Sequence, residues 1–110
     1  MEKLSLEAQV RELLKLAATA STGRSAHTVY GGHEHVLRQT LIALNAGTSL
    51  SEHENPGEAT LLVMRGRVLL IDGETSWEGR TGDFLVVPKS RHSLDALEDS
   101  AVLLTVAKHG

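Results

Sequence analysis

Short apolar segments separated by glycine-containing turns make up most of the chain beyond residue 23. Turn signals stand at Gly31-Gly32, at Gly47, at Asp72-Gly73 and at Gly82. An Asp-Gly pair between two apolar segments is a strong signal for a β-hairpin. Many short strands with regularly spaced turns are typical of a β-sandwich or a β-barrel. We therefore predict an all-β domain.

The predicted strands are short runs with a period of two, or apolar throughout, and Gly, Pro, Asn or Asp bounds most of them. There are about eight, at residues 26–30, 36–44, 60–64, 68–71, 76–78, 84–87, 93–96 and 101–107. The segments 61–64 and 84–87 are apolar at every position, so both of their faces need cover. One face can fill the interior of a barrel. The other face of these strands must be covered by a helix or by a second subunit. We expect a homodimer.

Residues 5–20 instead follow a helical period, and Ser5 is a suitable N-cap. Their apolar positions form one stripe, at Leu6, Val10, Leu13, Leu14 and Ala17. A single amphipathic helix cannot bury its stripe alone, so it must lie on a sheet or on a partner subunit. We expect residues 1–23 to form this helix and a linker, and residues 24–110 to form the barrel domain.

Composition excludes several classes of function. The 110 residues suffice for one domain, and they contain no cysteine for a disulfide or a thiolate metal site. Eleven Lys and Arg against 14 Asp and Glu leave a net charge of -3, which argues against nucleic acid as a partner. No apolar run approaches the roughly 20 residues of a membrane span, and no secretory signal is evident. We expect a cytoplasmic protein.

Two histidines mark the candidate site, since His53 and His92 each lie beside a turn and next to a strand. Two hairpins separate them in sequence, which is enough for the fold to bring them together. The first is embedded in a pattern of Gly47, five residues, His53, then Asn55, Ala59 and Gly66. The second follows Gly82 and Pro88.

These residues resemble the two sequence motifs of the cupin superfamily, and the resemblance covers roughly residues 26–107. In the first motif, a glycine precedes His-x-His, then a glutamate, then a second glycine. In the second, a glycine and a proline precede a histidine. The resemblance implies a double-stranded β-helix, also called a jelly-roll barrel, with one N-terminal helix in this chain. It also implies a divalent transition metal, namely zinc, iron, manganese or nickel, held by three histidines and one glutamate.

The chain departs from that motif at two of the four ligand positions. Asn55 stands where the second histidine belongs, and Ala59 stands where the glutamate belongs. Glu58 is one residue off, and a one-residue shift on a regular strand turns a side chain to the opposite face. A bulge at Pro56-Gly57 would turn Glu58 inward and make it a metal ligand.

His33 and His35 are further candidate metal ligands outside the motif. They form their own His-x-His just before a strand, where both side chains would point the same way and supplement His53 and His92. The alternative is a solvated turn that carries two histidines.

Four further residues are candidate ligand contacts: Asn55, Leu61, Val63 and Gln39. Leu61 and Val63 share a strand face with Ala59, which predicts an apolar interior beside His53. Gln39 interrupts an apolar strand together with Arg38, and one of the two must face inward if the strand is regular.

Three functions remain open at this point. The first is a small protein that binds a small molecule in the barrel, with a degenerate metal site at His53 and His92. The second is a metal-dependent oxygenase or isomerase with a nonstandard third ligand. The third is a structural or regulatory module that binds another protein.

Overall fold

The computed structural model describes residues 3–53 and 57–108, except for the side chains of Glu52 and His53. Within this part, the chain forms one helix and nine strands. They are α1 (Leu6–Thr19), β1 (Arg24–Gly31), β2 (Leu37–Leu44), β3 (Ser49–His53), β4 (Gly57–Arg65), β5 (Arg67–Asp72), β6 (Thr75–Arg80), β7 (Phe84–Val87), β8 (His92–Ala96) and β9 (Ser100–Lys108).

The strands form two antiparallel sheets. The five-stranded sheet has the order β1-β2-β9-β4-β7, and the four-stranded sheet has the order β3-β8-β5-β6. Non-consecutive strands are therefore neighbours in both sheets, as in a jelly roll. The prediction of an all-β jelly roll with one N-terminal helix is confirmed.

Strand β3 is the element that the count of about eight strands missed. Only Leu50 is apolar in the segment Ser49–His53, so the segment lacks the pattern that identifies a half-buried strand. It forms because it is the edge of the four-stranded sheet, where Leu50 pairs with Leu94 of β8. Tertiary pairing rather than local preference makes this segment a strand.

The main core lies between the two sheets. It consists of buried aliphatic side chains from both, namely Leu44, Ala59, Leu61, Val63, Val68, Leu70, Val87, Leu94, Ala96, Val102 and Val106. Where one strand supplies several of these residues, they alternate along it, as the two-residue period of a strand requires. On β4, Ala59, Leu61 and Val63 face inward, so the predicted apolar interior is present in the structure.

Helix α1 packs on the outer face of the five-stranded sheet. Val10, Leu13 and Ala17 are buried against a second cluster that includes Leu41 and Ala43. Ser5 caps the helix, since its Oγ accepts a hydrogen bond from the backbone N–H of Ala8 at 3.2 Å. The helix was expected to lie on a sheet or on a partner subunit, and in this structure its apolar stripe packs on the sheet. No helix among the described residues is long and apolar enough to cross a membrane.

Two hydrogen bonds fix the helix to the sheet. The Oγ of Ser25 donates to the carbonyl oxygen of Leu13 at 2.6 Å, and the Nδ2 of Asn45 donates to that of Ala17 at 2.8 Å. Most contacts of α1 are with β1, β2 and β9, and Glu7 also forms an ion pair with Arg65 of β4. The outer face of β4 and β7 has no comparable cover within the described part of the chain.

Candidate functional site

Several loops meet at one end of the barrel, which we call the His92 end. The turn from β1 to β2 lies here, as do residues 88–91 between β7 and β8 and the end of β9 at Lys108. The Nζ of Lys108 donates hydrogen bonds to the carbonyl oxygens of Gly32 and His33 at 2.9 and 3.0 Å. This side chain therefore fixes the β1–β2 turn against the barrel.

His92 is a buried polar side chain at the start of β8, with 4% of its surface exposed. Its Nδ1 lies 2.9 Å from the carbonyl oxygen of Ser90. Because a carbonyl oxygen only accepts, Nδ1 is the donor in this contact. The hydroxyl of Ser90 in turn donates to Oδ2 of Asp72 at 2.8 Å, which fixes the loop that orients the ring.

An inner cavity of about 20 Å³ lies beside His92 between the two sheets. Among the described residues, His92 is the one polar side chain in its lining, and the others are aliphatic: Ile42, Leu50, Leu61, Leu70, Val87, Leu94 and Leu104. A space of this size holds one water molecule or one ligand atom of similar size. The space between the sheets is thus filled mainly by leucine and valine side chains.

The two motif histidines are brought together at the level of the backbone. His53 and His92 are direct register partners across β3 and β8. Directly opposed residues of antiparallel strands have Cβ atoms about 5 Å apart. The side chain of His53 and the whole of Asn55 lie outside the described part, so their expected roles stay predictions.

Glu58 lies on the outer face of the five-stranded sheet, away from the interior. Its side chain is exposed, whereas its neighbours Gly57 and Ala59 are buried. In the β4–β9 register, Glu58 pairs with Ala107 and Ala59 pairs with the buried Val106. The strand keeps its regular alternation through this segment, so the inward turn that a bulge would have given Glu58 does not occur.

Gln39 also faces outward, contrary to its predicted ligand contact. It shares a strand face with Leu41 and Ala43, which pack under the helix, and its Nε2 donates to the Oγ1 of Thr105 at 3.1 Å. Its neighbour Arg38 pairs with the buried Val106 and so lies on the inward face, exposed at the His92 end. Arg38 is the candidate ligand contact that the sequence interpretation did not select.

The turn that carries His33 and His35 is exposed. The ring of His35 makes an edge contact with Tyr30, with the ring centres 5.7 Å apart. Among the described residues, no group of three or more His, Cys, Asp or Glu side chains is arranged to hold a metal ion. The exposure of both histidines agrees with the solvated-turn alternative, and metal ligation by His33 and His35 together with His53 stays a prediction.

The described donors do not fit the four-ligand metal set that the cupin motif implies. The glutamate position is occupied by Ala59, which has no donor atom, and Glu58 points outward. Of the implied ligands, His92 alone has a described side chain inside the barrel. Leu61 lines the inner cavity as expected, whereas Val63 lies in the core and is not part of the cavity wall.

The fold has clear counterparts among solved structures, although no family model and no curated protein sequence match the chain. A conserved protein of unknown function from Streptococcus pyogenes matches with a TM-score of 0.74 at 23% identity, over 83% of this chain and 79% of that chain. A cupin superfamily protein from Desulfitobacterium hafniense matches with a TM-score of 0.75 at 17% identity, over 88% of both chains.

An RmlC-like cupin from Desulfovibrio desulfuricans is similar at 25% identity, with a TM-score of 0.67 over 76% of this chain and 81% of that chain. These values establish the architecture rather than a shared activity, because unrelated functions occur on one fold. Together with the strand order and the two motif remnants, they lead to one conclusion. This chain has the cupin fold.

Proposed function

We propose that the protein binds a small molecule at the His92 end of the barrel and acts as a binding protein rather than a metal-dependent catalyst. The observation that carries the proposal is the position of His92, a buried imidazole on a cavity wall whose other described residues are aliphatic. A pocket of apolar walls with few directed polar groups is the usual form of a small-molecule site.

The orientation of His92 defines what it recognises. Since Nδ1 faces the carbonyl oxygen of Ser90, we expect the opposite ring nitrogen, Nε2, to contact a polar group of the ligand. His53, its partner in the strand register, is proposed as the second polar contact. Ser90 and Asp72 hold the ring in place from the side away from the ligand.

The small volume of the inner cavity limits how far the ligand enters. Only one group of roughly water size fits beside His92, so the remainder must lie at the His92 end between the loops. Arg38 lies on the inward face there, and no ion pair involves it among the described residues. We therefore expect the ligand to carry an anionic or strongly accepting group for this guanidinium.

The alternative of a metal-dependent oxygenase or isomerase needs a third protein ligand beside His53 and His92. Glu58, His33 and His35 were the candidates, and their exposed positions do not favour that role. Two imidazoles without a carboxylate form an incomplete site for zinc, iron, manganese or nickel.

Substituting His92 tests the proposed binding site. We expect freshly purified protein to retain a small molecule that native mass spectrometry detects and denaturation releases. His92→Ala should weaken retention about ten-fold or more, because one buried, directed hydrogen bond to the ligand is lost. His92→Gln, which keeps a polar group of similar length, separates loss of contact from loss of fold.

The matched control is His27→Ala, which removes an exposed histidine of β1. This variant should retain the molecule as the wild type does. Equal retention in His92→Ala and His27→Ala would contradict the proposal, as would wild-type protein with no bound molecule.

The protein-interaction function is the second candidate, and the exposed face of β7 favours it. Phe84 is 62% exposed and Val86 is 73% exposed, and they lie two residues apart on the outer face. Beside them is an open groove of about 480 Å³, whose lining includes Glu58 and Lys89. Exposed apolar surface with charges at its rim is typical of a protein interface.

We propose a second copy of this chain as the occupant of that face. A two-fold contact is self-complementary, so Glu58 of one protomer can meet the partner's Lys89, and the reverse pair forms by symmetry. The helix already covers the β1–β2–β9 half of this sheet, which leaves the β4–β7 half for the partner. Glu58, turned away from the interior, would then act at the interface.

The association state tests this assignment. We expect light scattering after gel filtration to give twice the monomer mass for the wild type, and the monomer mass for a Phe84→Lys, Val86→Lys double variant. Leu16→Lys, at an exposed apolar position of α1, is the matched control and should remain dimeric. A monomeric wild type at micromolar concentration, or a dimeric double variant, would contradict the proposal.

A further inference from the structure

A second opening leads toward the interior from the side of the barrel. It lies between the free edges of the two sheets, β1 of the five-stranded sheet and β3 of the four-stranded sheet. We call it the side cleft. Its volume is about 310 Å³, and its lining is Thr22, Arg24, Ser25, Ala26, Ile42 and Leu50.

Arg24 spans the two edges at the polar side of this cleft. It pairs with the buried Leu44 in the β1–β2 register, so it lies on the inward face of β1, and its Nη1 donates to the carbonyl oxygen of Ser49 on β3 at 3.2 Å. That one bond leaves further N–H donors of the guanidinium. No carboxylate forms an ion pair with Arg24 in the part of the chain that the structure describes.

The inner wall of the side cleft is aliphatic. Ala26 lines the side cleft from β1. Ile42 and Leu50 line both the side cleft and the inner cavity, so they form the wall between the two spaces. Ile42 and Leu50 are half-buried and pack against the main core. They therefore separate the side cleft from the space beside His92.

We propose that the side cleft binds a short-chain monocarboxylic acid. The carboxylate would pair with the guanidinium of Arg24, whose planar fork matches a carboxylate in a two-bond contact. The hydrocarbon chain would lie against Ala26, Ile42 and Leu50 and remove their apolar surface from water. One cation, Arg24, next to three aliphatic side chains favours a ligand with a single negative charge and an apolar tail.

Titration with sodium hexanoate, followed by ¹H–¹⁵N correlation spectra, tests the proposal. We expect saturable shifts at the backbone amides of Ala26, Ile42 and Leu50. Hexanol keeps the tail without the charge, and acetate keeps the charge without the tail. Both should bind at least about ten-fold more weakly, because a charged hydrogen bond or most of the buried apolar area is lost.

Arg24→Gln should weaken hexanoate binding about ten-fold and leave the weak binding of hexanol unchanged. Arg24→Lys keeps the charge but not the fork and should fall in between. Arg80→Gln, at an exposed arginine of β6, is the matched control and should bind hexanoate as the wild type does. The hexanol and acetate comparisons use wild-type protein, so they decide the matter even if an Arg24 variant fails to fold.

Three results would overturn the proposal: no saturable shift with hexanoate, shifts confined to residues at the His92 end, or equal affinity for hexanoate and hexanol. Loss of the side cleft and loss of the His92 site are distinguishable. The first is read from hexanoate shifts around Arg24, and the second from the retained molecule in the His92→Ala variant.

Discussion

Replacing Gly66 by Ala is expected to lower the free energy of unfolding by about 2–4 kcal/mol. Gly66 has a φ of +85°, where a residue with a side chain is strained. A Cβ at this position would lie 2.4 Å from the carbonyl oxygen of Asp99 and 2.4 Å from the Oγ of Ser100. Neither neighbour can move easily, since one is backbone and Ser100 is fully buried.

Gly73→Ala is the matched control for that measurement. Gly73 also has a positive φ, of +58°, but a Cβ there would meet nothing within 4 Å. Gly73→Ala should lower the free energy of unfolding by the backbone strain alone, about 1–2 kcal/mol. Urea denaturation of both variants separates strain from the steric clash. A Gly66→Ala variant no less stable than Gly73→Ala would contradict the packing described around the β4–β5 turn.

Replacing Leu70 by Ala is expected to cost about 2–5 kcal/mol, the range for removing a buried leucine. Leu70 is 1% exposed, belongs to the main core and lines the inner cavity. The variant also tests why the interior is so small, because it removes one of the side chains that fill it. An enlarged aliphatic cavity should bind a small apolar probe such as benzene, which would raise the stability of the variant.

Leu69→Ala is the control on the same strand. Leu69 faces away from the main core and is only half-buried, so its removal should cost clearly less. Thermal and urea unfolding of both variants check the difference. An equal loss of unfolding free energy in Leu70→Ala and Leu69→Ala would contradict the view that the inward-facing leucines stabilise the core.

The pattern of turns and apolar segments was enough to predict an all-β domain, and the resemblance to the cupin motifs specified the jelly roll. Helix α1 was recognisable because its stripe and its N-cap agree, and most strands were recognisable because glycines bound them. Strand β3 was missed because its one apolar residue, Leu50, cannot define a period. Its structure depends on the pairing with β8, which no local pattern records.

Which residues point inward was harder to predict, and β2 explains why. Both of its faces are apolar, since Ile42 and Leu44 face the main core while Leu41 and Ala43 face the helix. The alternation therefore did not indicate which of Arg38 and Gln39 lies inside. Arg38 faces inward because it pairs with the buried Val106. That pairing depends on β9, which lies far from β2 in the sequence.

In the cupin-like motif of this chain, the turn glycine Gly66 is present, whereas two of the four metal-ligand positions hold other residues, Asn55 and Ala59. Gly66 remains because the close approach of Asp99 and Ser100 leaves no room for a Cβ. Ala59 occupies the position of a metal ligand, yet it fits the interior as a small buried residue. The turns that the fold requires have been kept, while the ligands that a metal requires are incomplete.

Metal analysis of freshly purified, tag-free protein tests this account most directly. We expect zinc, iron, manganese and nickel well below one equivalent per chain, and the same values in a His53→Ala, His92→Ala double variant. A His27→Ala variant, at an exposed histidine outside the candidate ligands, controls for metal bound at the surface. One equivalent of a transition metal in the wild type, absent from the His53→Ala, His92→Ala variant and kept in the control, would contradict the account.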